Sequence, residues 1–190
     1  FFLREKAKIQ SGQKVLIIGA SGSIGTFAVQ LAVYFGAEVT GVCSAKNIDL
    51  VKSLGAKNVI DYTKEDFTKN DDRYDIIFDT VGKSSYLRCK RSLEPNGLYV
   101  PTIGLINYLY MFLTSIKCSI PGKKSGKRVI AGMSVEKNEA LSFLKKLFED
   151  GKLKPVIDRT YPIEDIIEAH RYVEKGHKKG NVVITIIPEH

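Results

Sequence analysis

The sequence predicts an α/β fold built on a doubly wound parallel sheet, and two observations lead to this prediction. Short apolar runs such as residues 15–18 show no polar alternation, which is typical of strands buried on both faces. These runs alternate with amphipathic stretches along most of the chain. Such alternation favours parallel strands joined by helices in right-handed crossovers, with helices on both faces of the sheet.

Each element follows from a local pattern of apolar residues and turn residues. Strands are predicted at residues 15–18, 38–43, 58–60, 75–79, 98–100 and 128–131. Helices are predicted at residues 3–10, 23–35 (beginning at Ser23 or Thr26), 47–54, 84–93 and 137–149. Gly36 and Gly55 follow two of these helices and suit the left-handed conformation that ends a helix. The Pro95-Asn96-Gly97 sequence is expected to end the helix at 84–93.

The C-terminal residues depart from this arrangement. Residues 155–158 read as extended, and Pro162 suits the first turn of a helix predicted from Ile163 to about Lys175. A β-branched strand follows at 181–187. Because the predicted sheet already holds six strands, this helix and strand are assigned to another structural unit. We therefore divide the chain into a connecting helix at 1–11, a main domain at 12–154 and a terminal segment at 155–190.

Composition and charge narrow the class of partner. The 190 residues are enough for one full-sized core, with 44% hydrophobic and 26% charged residues and a net charge of +8. The late lysines alternate with helical apolar positions and lack aromatic interleaving. We interpret them as a solvated basic surface, predict no nucleic-acid partner, and expect the positive field to attract a polyanionic ligand.

Cysteine and histidine usage predicts no metal site in this chain. Cys43, Cys89 and Cys118 form no CxxC motif, and the three histidines form no HExxH motif. Sparse, unpaired cysteines favour a reducing compartment, so we predict a cytoplasmic protein. The uncharged run at 98–116 is interrupted by Pro101 and Gly104. It is expected to form a strand, a loop and a short helix, with no membrane partner.

A glycine-rich turn joins the first predicted strand to the first predicted helix. It reads Gly19-Ala20-Ser21-Gly22-Ser23-Ile24-Gly25, with Ala20 in place of the usual first glycine. We expect Gly22 to let a pyrophosphate approach the backbone and Gly25 to let the helix pack closely on the strand. The N–H groups of Gly22, Ser23 and Ile24 would point at the phosphates. This context predicts a Rossmann-type dinucleotide site, with an ordinary glycine turn as the alternative.

Side chains at the end of the second predicted strand favour NADP(H) over NAD. NAD sites usually carry an acidic residue there, which binds the ribose 2′-hydroxyl. This chain has Ser44 and Lys46 instead, with no Asp or Glu at that point. A hydroxyl and an ammonium can bind a 2′-phosphate through charge-assisted hydrogen bonds. A solvated loop lysine is the alternative interpretation of Lys46.

Four stretches of the chain resemble the medium-chain dehydrogenase/reductase superfamily. They are residues 15–25, 59–62, 78–82 and 162–186, of which 169–183 is especially characteristic. The most similar branch is that of the zinc-independent, quinone oxidoreductase-like NADPH reductases. Because these motifs occur in order over nearly the whole chain, the resemblance is more specific than the glycine turn alone.

The resemblance implies a set of coenzyme contacts but no catalytic residue that can be named. Ser44, Lys46 and Tyr62 would surround the 2′-phosphate, although Tyr62 alone could equally be a half-exposed packing residue. The expected cofactor-binding residues are Ala20, Ser21, Gly22, Ser23, Ile24, Gly25, Ser44, Lys46, Tyr62, Thr80, Val81, Gly82, Ile103, Gly104, Leu105, Ala131 and Gly132.

The resemblance also implies that the chain is the coenzyme-binding half of a longer enzyme. Superfamily members carry an N-terminal GroES-like catalytic domain, and the final helix and strand here resemble the piece that returns to it. The chain begins at Phe1 without a methionine, which fits a fragment. We therefore expect an NADPH-dependent oxidoreductase that reduces a small-molecule quinone, enone or related carbonyl compound, and an inactive isolated chain.

Other functions stay open at this point. The chain could be a non-catalytic NADPH-binding or scaffold domain. It could also be a fragment of a zinc-dependent alcohol dehydrogenase, whose zinc-binding loop would lie in the absent N-terminal part. The predicted edge strand at 128–131 could pair across a homodimer.

Overall fold

The computed structural model describes residues 1–102, 106–118, 126–132 and 138–186. Six parallel strands in these ranges form one sheet, and two more form a smaller sheet. The strands are β1 (Lys14–Ile18), β2 (Glu38–Cys43), β3 (Asn58–Asp61), β4 (Tyr74–Asp79), β5 (Leu93–Pro101), β6 (Arg128–Val129), β7 (Ile157–Pro162) and β8 (Asn181–Thr185). The predicted α/β fold with a six-stranded parallel sheet is confirmed.

Helices and short helical turns connect the strands. The α-helices are α1 (Ser23–Tyr34), α2 (Ile48–Ser53), α3 (Tyr86–Cys89), α4 (Ile106–Cys118), α5 (Asn138–Glu149) and α6 (Ile166–Glu174). Three 3₁₀ turns lie at Ala45–Asn47, Lys90–Ser92 and Ile163–Asp165, and a π-helical turn lies at Phe2–Lys6. Gly36 adopts a φ of +76° two residues after α1, as its sequence position predicts.

The strand order of the large sheet is β3-β2-β1-β4-β5-β6. The order reverses between β1 and β4, so the chain leaves the sheet in opposite directions on either side of this point. In open sheets of this kind, ligands bind beyond the carboxyl ends of the strands at such a reversal. The strand ends meet there, because Ile18 pairs with Val42 on one side and with Asp79 on the other.

Two apolar cores cover the faces of this sheet. Val15 and Ile17 of β1 belong to one core, and Leu16 and Ile18 belong to the other. Successive side chains of a strand point to opposite faces, so an uninterrupted apolar strand buries both sides. The apolar run that predicted this strand is therefore explained by helices packing on both faces.

Two predicted helices are shorter in the structure. The helix predicted at 3–10 is reduced to the π-helical turn, because Lys8 adopts a left-handed φ of +51°. The helix predicted at 84–93 becomes α3 and a 3₁₀ turn, and β5 already begins at Leu93. Pairing of Leu93 with Tyr74 places Pro95 at a register shift, where a strand tolerates proline.

The C-terminal residues form a separate β-α-β unit, which we call the C-terminal unit (residues 157–185). Its strands β7 and β8 pair in parallel with each other, and α6 lies between them in the chain. Pro162 ends β7 rather than opening a helix directly, since a 3₁₀ turn comes first. Among the described residues, an isolated bridge between Gly22 and Gly180 connects this unit to the glycine turn. The domain boundaries at residues 11 and 154 stay a prediction.

The uncharged run at 98–116 contains parts of two elements. This run holds the end of β5 and most of α4, as expected, while residues 103–105, where a loop is predicted, lie outside the described residues. In the part of the chain that the structure describes, no helix has both the length and the apolar character needed to cross a bilayer.

Candidate functional site

A cleft of about 1040 Å³ lies at the carboxyl edge of the large sheet. Its walls come from the glycine turn, the end of β2, the loops after β3 and β4, and the segment before β8. Residues from each wall include Gly19, Ser21, Gly22, Ser23, Ile24, Ser44, Lys46, Asn47, Tyr62, Thr80, Val81, Gly176, His177 and Lys178. The cleft thus brings together residues as far apart in sequence as Gly19 and Lys178.

The glycine turn is held to the sheet by its own backbone. The N–H groups of Gly19 and Ala20 both donate to the Val42 carbonyl, at 3.0 Å each. The N–H of Gly22 donates to the Gly19 carbonyl at 3.0 Å, so the expectation that it points at a ligand is wrong. Ser23 and Ile24 open α1, and N–H groups in a first helical turn have no intrahelical acceptor. The first-turn amides of α1, and not the Gly22 amide, are therefore the ones available to an anion.

The glycines at 22 and 25 have different roles. A Cβ on Gly25 would lie 2.0 Å from the Gly19 carbonyl oxygen and 2.8 Å from the Ala20 backbone. Only glycine therefore allows α1 to pack this closely on the turn. A Cβ on Gly22 would lie 3.5 Å from the same oxygen, an ordinary contact, so Gly22 leaves room on the cleft side. Ala20 is fully buried and lies behind the lining.

The end of β2 places Ser44 and Lys46, and the end of the neighbouring β3 places Tyr62, along one wall of the cleft. Lys46 and Tyr62 are exposed, and Ser44 is half-buried. This arrangement agrees with the sequence prediction that these side chains converge. In the described residues, six cationic side chains and two carboxylates line the whole cleft. The excess of positive charge suits a ligand with several negative charges.

Asn47 connects two parts of the cleft, and sequence reasoning missed it. Its side chain is buried, and its Nδ2 donates to Ser21 Oγ at 3.0 Å and to Ser44 Oγ at 3.3 Å. Its Oδ1 is buried without a hydrogen-bond partner among the described residues. A buried unpaired oxygen is costly and uncommon in a folded protein, and it is a feature of sites that receive a donor from elsewhere. The only sequence signal was an amide side chain next to Lys46.

The loop after β4 is fixed by a buried carboxylate. Asp79 accepts hydrogen bonds from the N–H groups of Val81 (3.0 Å), Gly82 (2.8 Å) and Ser84 (3.2 Å). The Tyr99 hydroxyl also donates to it at 3.0 Å, and burial raises the pKa of Tyr99, which keeps this donor protonated. The loop is therefore pre-shaped, with Val81 lining the cleft.

Thr80 ties the same loop to β1. Its Oγ1 donates to the Ile18 carbonyl at 2.8 Å, and its side chain lines the cleft. Gly82 follows with a φ of +74°, and it is not part of the lining. Two of the three residues expected from this loop are thus placed against the cleft.

The remaining expected residues are not brought into the cleft by the described structure. Ala131 and Gly132 are half-buried and do not line it. A Cβ on Gly132 would have Lys6 as its neighbour, which places this glycine near the N-terminal turn. Ile103, Gly104 and Leu105 lie outside the described residues.

A metal site in a protein needs several His, Cys, Asp or Glu side chains close together. In the ranges that the structure describes, no group of three or more His, Cys, Asp or Glu side chains could hold a metal ion. Cys43 and Cys89 are buried, and burial raises the pKa of each thiol to about 11.

Comparison with known proteins identifies the family. A sequence model described as a zinc-binding dehydrogenase matches residues 54–184, which is more than half of the chain. The chain belongs to the zinc-binding dehydrogenase family. It falls within the medium-chain dehydrogenase/reductase superfamily and is quinone oxidoreductase-like, so the resemblance stated from the sequence is confirmed.

Individual relatives agree with this assignment. The chain is 33% identical over 192 residues to a Mus musculus protein named "NAD(P)H oxidoreductase RTN4IP1, mitochondrial", covering 93% of this chain and 48% of that protein. It is 33% identical over 188 residues to the 2-methylene-furan-3-one reductase of Solanum lycopersicum, covering 97% of this chain and 43% of that protein. The chain thus spans about half the length of the curated relatives it matches.

Solved structures show the same relationship. The quinone oxidoreductase from Coxiella burnetii superimposes with a TM-score of 0.84 at 26% identity, over 97% of this chain and 56% of that one. An NAD-dependent alcohol dehydrogenase superimposes with a TM-score of 0.79 at 22% identity, over 98% of this chain and 55% of that one. The second likeness concerns the fold alone.

Proposed function

We propose that this chain is the NADP(H)-binding domain of an oxidoreductase that reduces a quinone, an enone or a related carbonyl compound. The observation that carries the proposal is the cleft in which the glycine turn and the Ser44–Lys46 wall meet. The family assignment supports a nicotinamide coenzyme, because the mouse relative is named for NAD(P)H. The preference for NADP(H) rests on the residues of the cleft.

The glycine turn would hold the pyrophosphate. The Ser23 and Ile24 N–H groups and the positive end of α1 supply hydrogen bonds and a favourable field for negative charge. Gly22 leaves space beside them, which a larger side chain would fill. Ser21 Oγ lies in the same turn and is positioned by Asn47. The residues present therefore fit a dinucleotide phosphate group.

The wall at the end of β2 would hold the adenosine ribose and its 2′-phosphate. Lys46 supplies an ammonium, and Ser44 and Tyr62 supply hydroxyl groups. Asn47 Nδ2 joins the turn to this wall through its hydrogen bonds to Ser21 Oγ and Ser44 Oγ. A carboxylate directly after β2 in the sequence would repel a 2′-phosphate, and no Asp or Glu stands between Cys43 and Asn47.

The substrate class is inferred from relatives. These relatives include a protein named 2-methylene-furan-3-one reductase and a quinone oxidoreductase. The bound nicotinamide would supply the hydride, while this chain binds and orients the coenzyme. Since the chain spans about half of its relatives, we propose that the catalytic wall lies in the other half and that this chain alone is inactive. The cytoplasmic location, the homodimer and the absence of zinc chemistry stay predictions.

The Lys46→Ala variant tests the coenzyme preference. Removing this ammonium should weaken NADPH binding about tenfold and leave NADH binding nearly unchanged, because only NADPH carries the 2′-phosphate. Dissociation constants measured by titration calorimetry check this. Lys52→Ala is the matched control, since Lys52 is an exposed lysine of α2 that does not line the cleft. Equal weakening of both coenzymes by Lys46→Ala would contradict the assignment.

A further inference from the structure

Helix α4 exposes a row of apolar side chains on the side that faces away from the sheet. Tyr108, Leu109, Phe112 and Leu113 lie on one face of the helix, and all four are exposed. We call these four residues the α4 stripe. A surface helix usually carries charged or polar residues on its outer face. A contiguous apolar row on that face is typical of a binding surface.

The fold holds the α4 stripe in its outward position. On the inner side of the helix, Tyr110 and Met111 pack against the apolar core of this sheet face, and Thr114 is buried. Thr114 Oγ1 also accepts a hydrogen bond from the Val129 N–H of β6 at 3.3 Å. Rotating the helix to bury the stripe would break these contacts.

A group of cations lies beside α4, near the start of β6. Tyr86 connects the two, because its ring lies 5.7 Å from the Tyr110 ring of α4 and its hydroxyl donates to the Lys127 carbonyl at 3.2 Å. Lys127 Nζ donates in turn to the Lys90 carbonyl at 2.7 Å. Partial burial and the positive charges of Arg73 and Lys90 lower the pKa of the Lys127 ammonium. We call Arg73, Lys90 and Lys127 the basic cluster.

The basic cluster is not neutralised by the protein. The chain has no Asp or Glu between Glu94 and Glu136. Asp72 and Glu94 stand near the cluster in the sequence, but no ion pair among the described residues involves a member of the cluster. This surface therefore combines uncompensated positive charge with an apolar stripe.

That combination favours one class of partner over two others. A second copy of the chain, docked through the same surface, would add more cations and no matching carboxylates. A nucleic acid would neutralise the cations but would not bury the stripe. An anionic lipid surface satisfies both, because its headgroups attract cations and its acyl boundary accepts apolar side chains.

We propose that the α4 stripe and the basic cluster form a docking site for an anionic lipid surface. The stripe would enter the boundary between headgroups and acyl chains, and the cations of the cluster would lie at the headgroup phosphates. Such attachment differs from membrane spanning, on which the sequence expectation of no membrane partner was based. No residue of the stripe or the cluster lines the coenzyme cleft, so this inference is independent of the proposed function.

Co-sedimentation of the wild-type chain with lipid vesicles tests the proposal. We expect binding to vesicles of phosphatidylcholine mixed with phosphatidylglycerol, and binding at least about tenfold weaker to vesicles of phosphatidylcholine alone. Added salt should weaken the first interaction, since it screens the attraction between the cations and the headgroups.

A pair of leucine variants tests the α4 stripe. Leu109→Ser should weaken binding to the anionic vesicles about tenfold, because it removes a side chain that would enter the lipid. Leu141→Ser is the matched control, since Leu141 of α5 is 57% exposed against 53% for Leu109 and lies outside the stripe. It should leave vesicle binding within about twofold of wild type.

A pair of double variants tests the basic cluster. Changing both Lys90→Gln and Lys127→Gln should weaken binding to the anionic vesicles about tenfold or more and reduce its salt dependence. Changing both Lys152→Gln and Lys154→Gln is the control, because it removes the same charge from two exposed lysines outside the cluster. The control should bind nearly as wild type does.

Three results would overturn the inference. One is a wild-type chain that does not bind the anionic vesicles, and another is an equal loss in Leu109→Ser and Leu141→Ser. The third is a wild-type dimer in sedimentation velocity that Leu109→Ser dissociates, because the stripe would then belong to an interface between two copies. All three leave the coenzyme site untouched, since Lys46→Ala tests that site separately.

Discussion

The six-stranded sheet and the C-terminal unit are both built from parallel strands joined by helices, but they are buried very differently. Four of the five residues of β1 are buried, whereas no residue of β7 or β8 is. In the described part of the C-terminal unit, Ala169 is the buried residue of α6, while Ile167 is 64% exposed. The same local pattern therefore gives a self-contained core in one region and a thin, partly apolar layer in the other.

The difference shows how the cleft is divided between a rigid part and an attached part. The sheet fixes the glycine turn and the strand ends through burial on both faces. The C-terminal unit is fastened to that turn through polar contacts around Gly180. The apolar exposure of Ile163, Ile167 and Val173 is consistent with the proposal that this unit also faces a domain outside the chain.

The largest expected effect comes from shortening an isoleucine in each region. Ile17→Ala removes a fully buried side chain from β1 and should lower the free energy of unfolding by about 2–5 kcal/mol. Ile167→Ala removes an exposed side chain from α6 and should change it by less than about 0.5 kcal/mol. Urea denaturation of both variants measures the difference. Similar losses in the two would mean that the C-terminal unit shares the core's cooperativity.

A smaller effect is expected from loosening the attachment itself. Gly180→Ala forces a Cβ against the Val156 carbonyl and should detach the C-terminal unit without unfolding the sheet. Hydrogen exchange should then lose protection at the amides of β8 and keep it in β1 and β4. Gly126→Ala is the control, because a Cβ at Gly126 meets no atom within 4 Å. Loss of protection across the large sheet would show that the two regions are not separable.

The smallest expected effect is a loss of stability at low pH. Partial burial opposes ionisation of Asp158, but hydrogen bonds from the Tyr172 hydroxyl and the Lys179 N–H outweigh it and hold the pKa of this carboxyl below 3.8. Its stabilisation is therefore present above pH 3.8 and is lost as the pH falls through the lower folded-state pKa. The stability difference between wild type and Asp158→Asn should shrink over that window.

A control for the acid experiment lies in the same unit. Asp165 is exposed, so Asp165→Asn should show little difference from wild type at any of these pH values. A difference for Asp158→Asn that stays constant down to the lowest pH would contradict the role given to the ionised carboxylate.

The fold could be predicted from the sequence only where an element depends on neighbouring residues. The sequence predicts β1, the glycine turn and α1 because their patterns are local, and it assigns Ser44 and Lys46 to the coenzyme site because they directly follow the second predicted strand. It misses the pairing of Leu93 with Tyr74, since that contact between strands overrides the local signal of Pro95. Strand pairing of this kind is set by the whole sheet and not by neighbouring residues.

The site was also predicted only in part. Lys178 was missed because it meets Ser23 across 155 residues of sequence, and no periodic pattern reports such a contact. Asn47 was missed because its role depends on the direction of a buried amide. Ala131 and Gly132 were expected from the resemblance, but β6 ends at Val129 and leaves both outside the lining. Cleft residues that belong to a local sequence pattern were predicted. Cleft residues that are placed by contacts between distant segments of the chain were not.

The central claim is that the cleft binds a nicotinamide dinucleotide and prefers the one with a 2′-phosphate. The most direct measurement is the thermal midpoint of the wild-type chain with increasing NADPH or NADH, since a ligand that binds the folded state raises it. We expect both coenzymes to raise the midpoint and NADPH to do so at about tenfold lower concentration. Equal shifts at equal concentration, or no shift with either, would contradict the account.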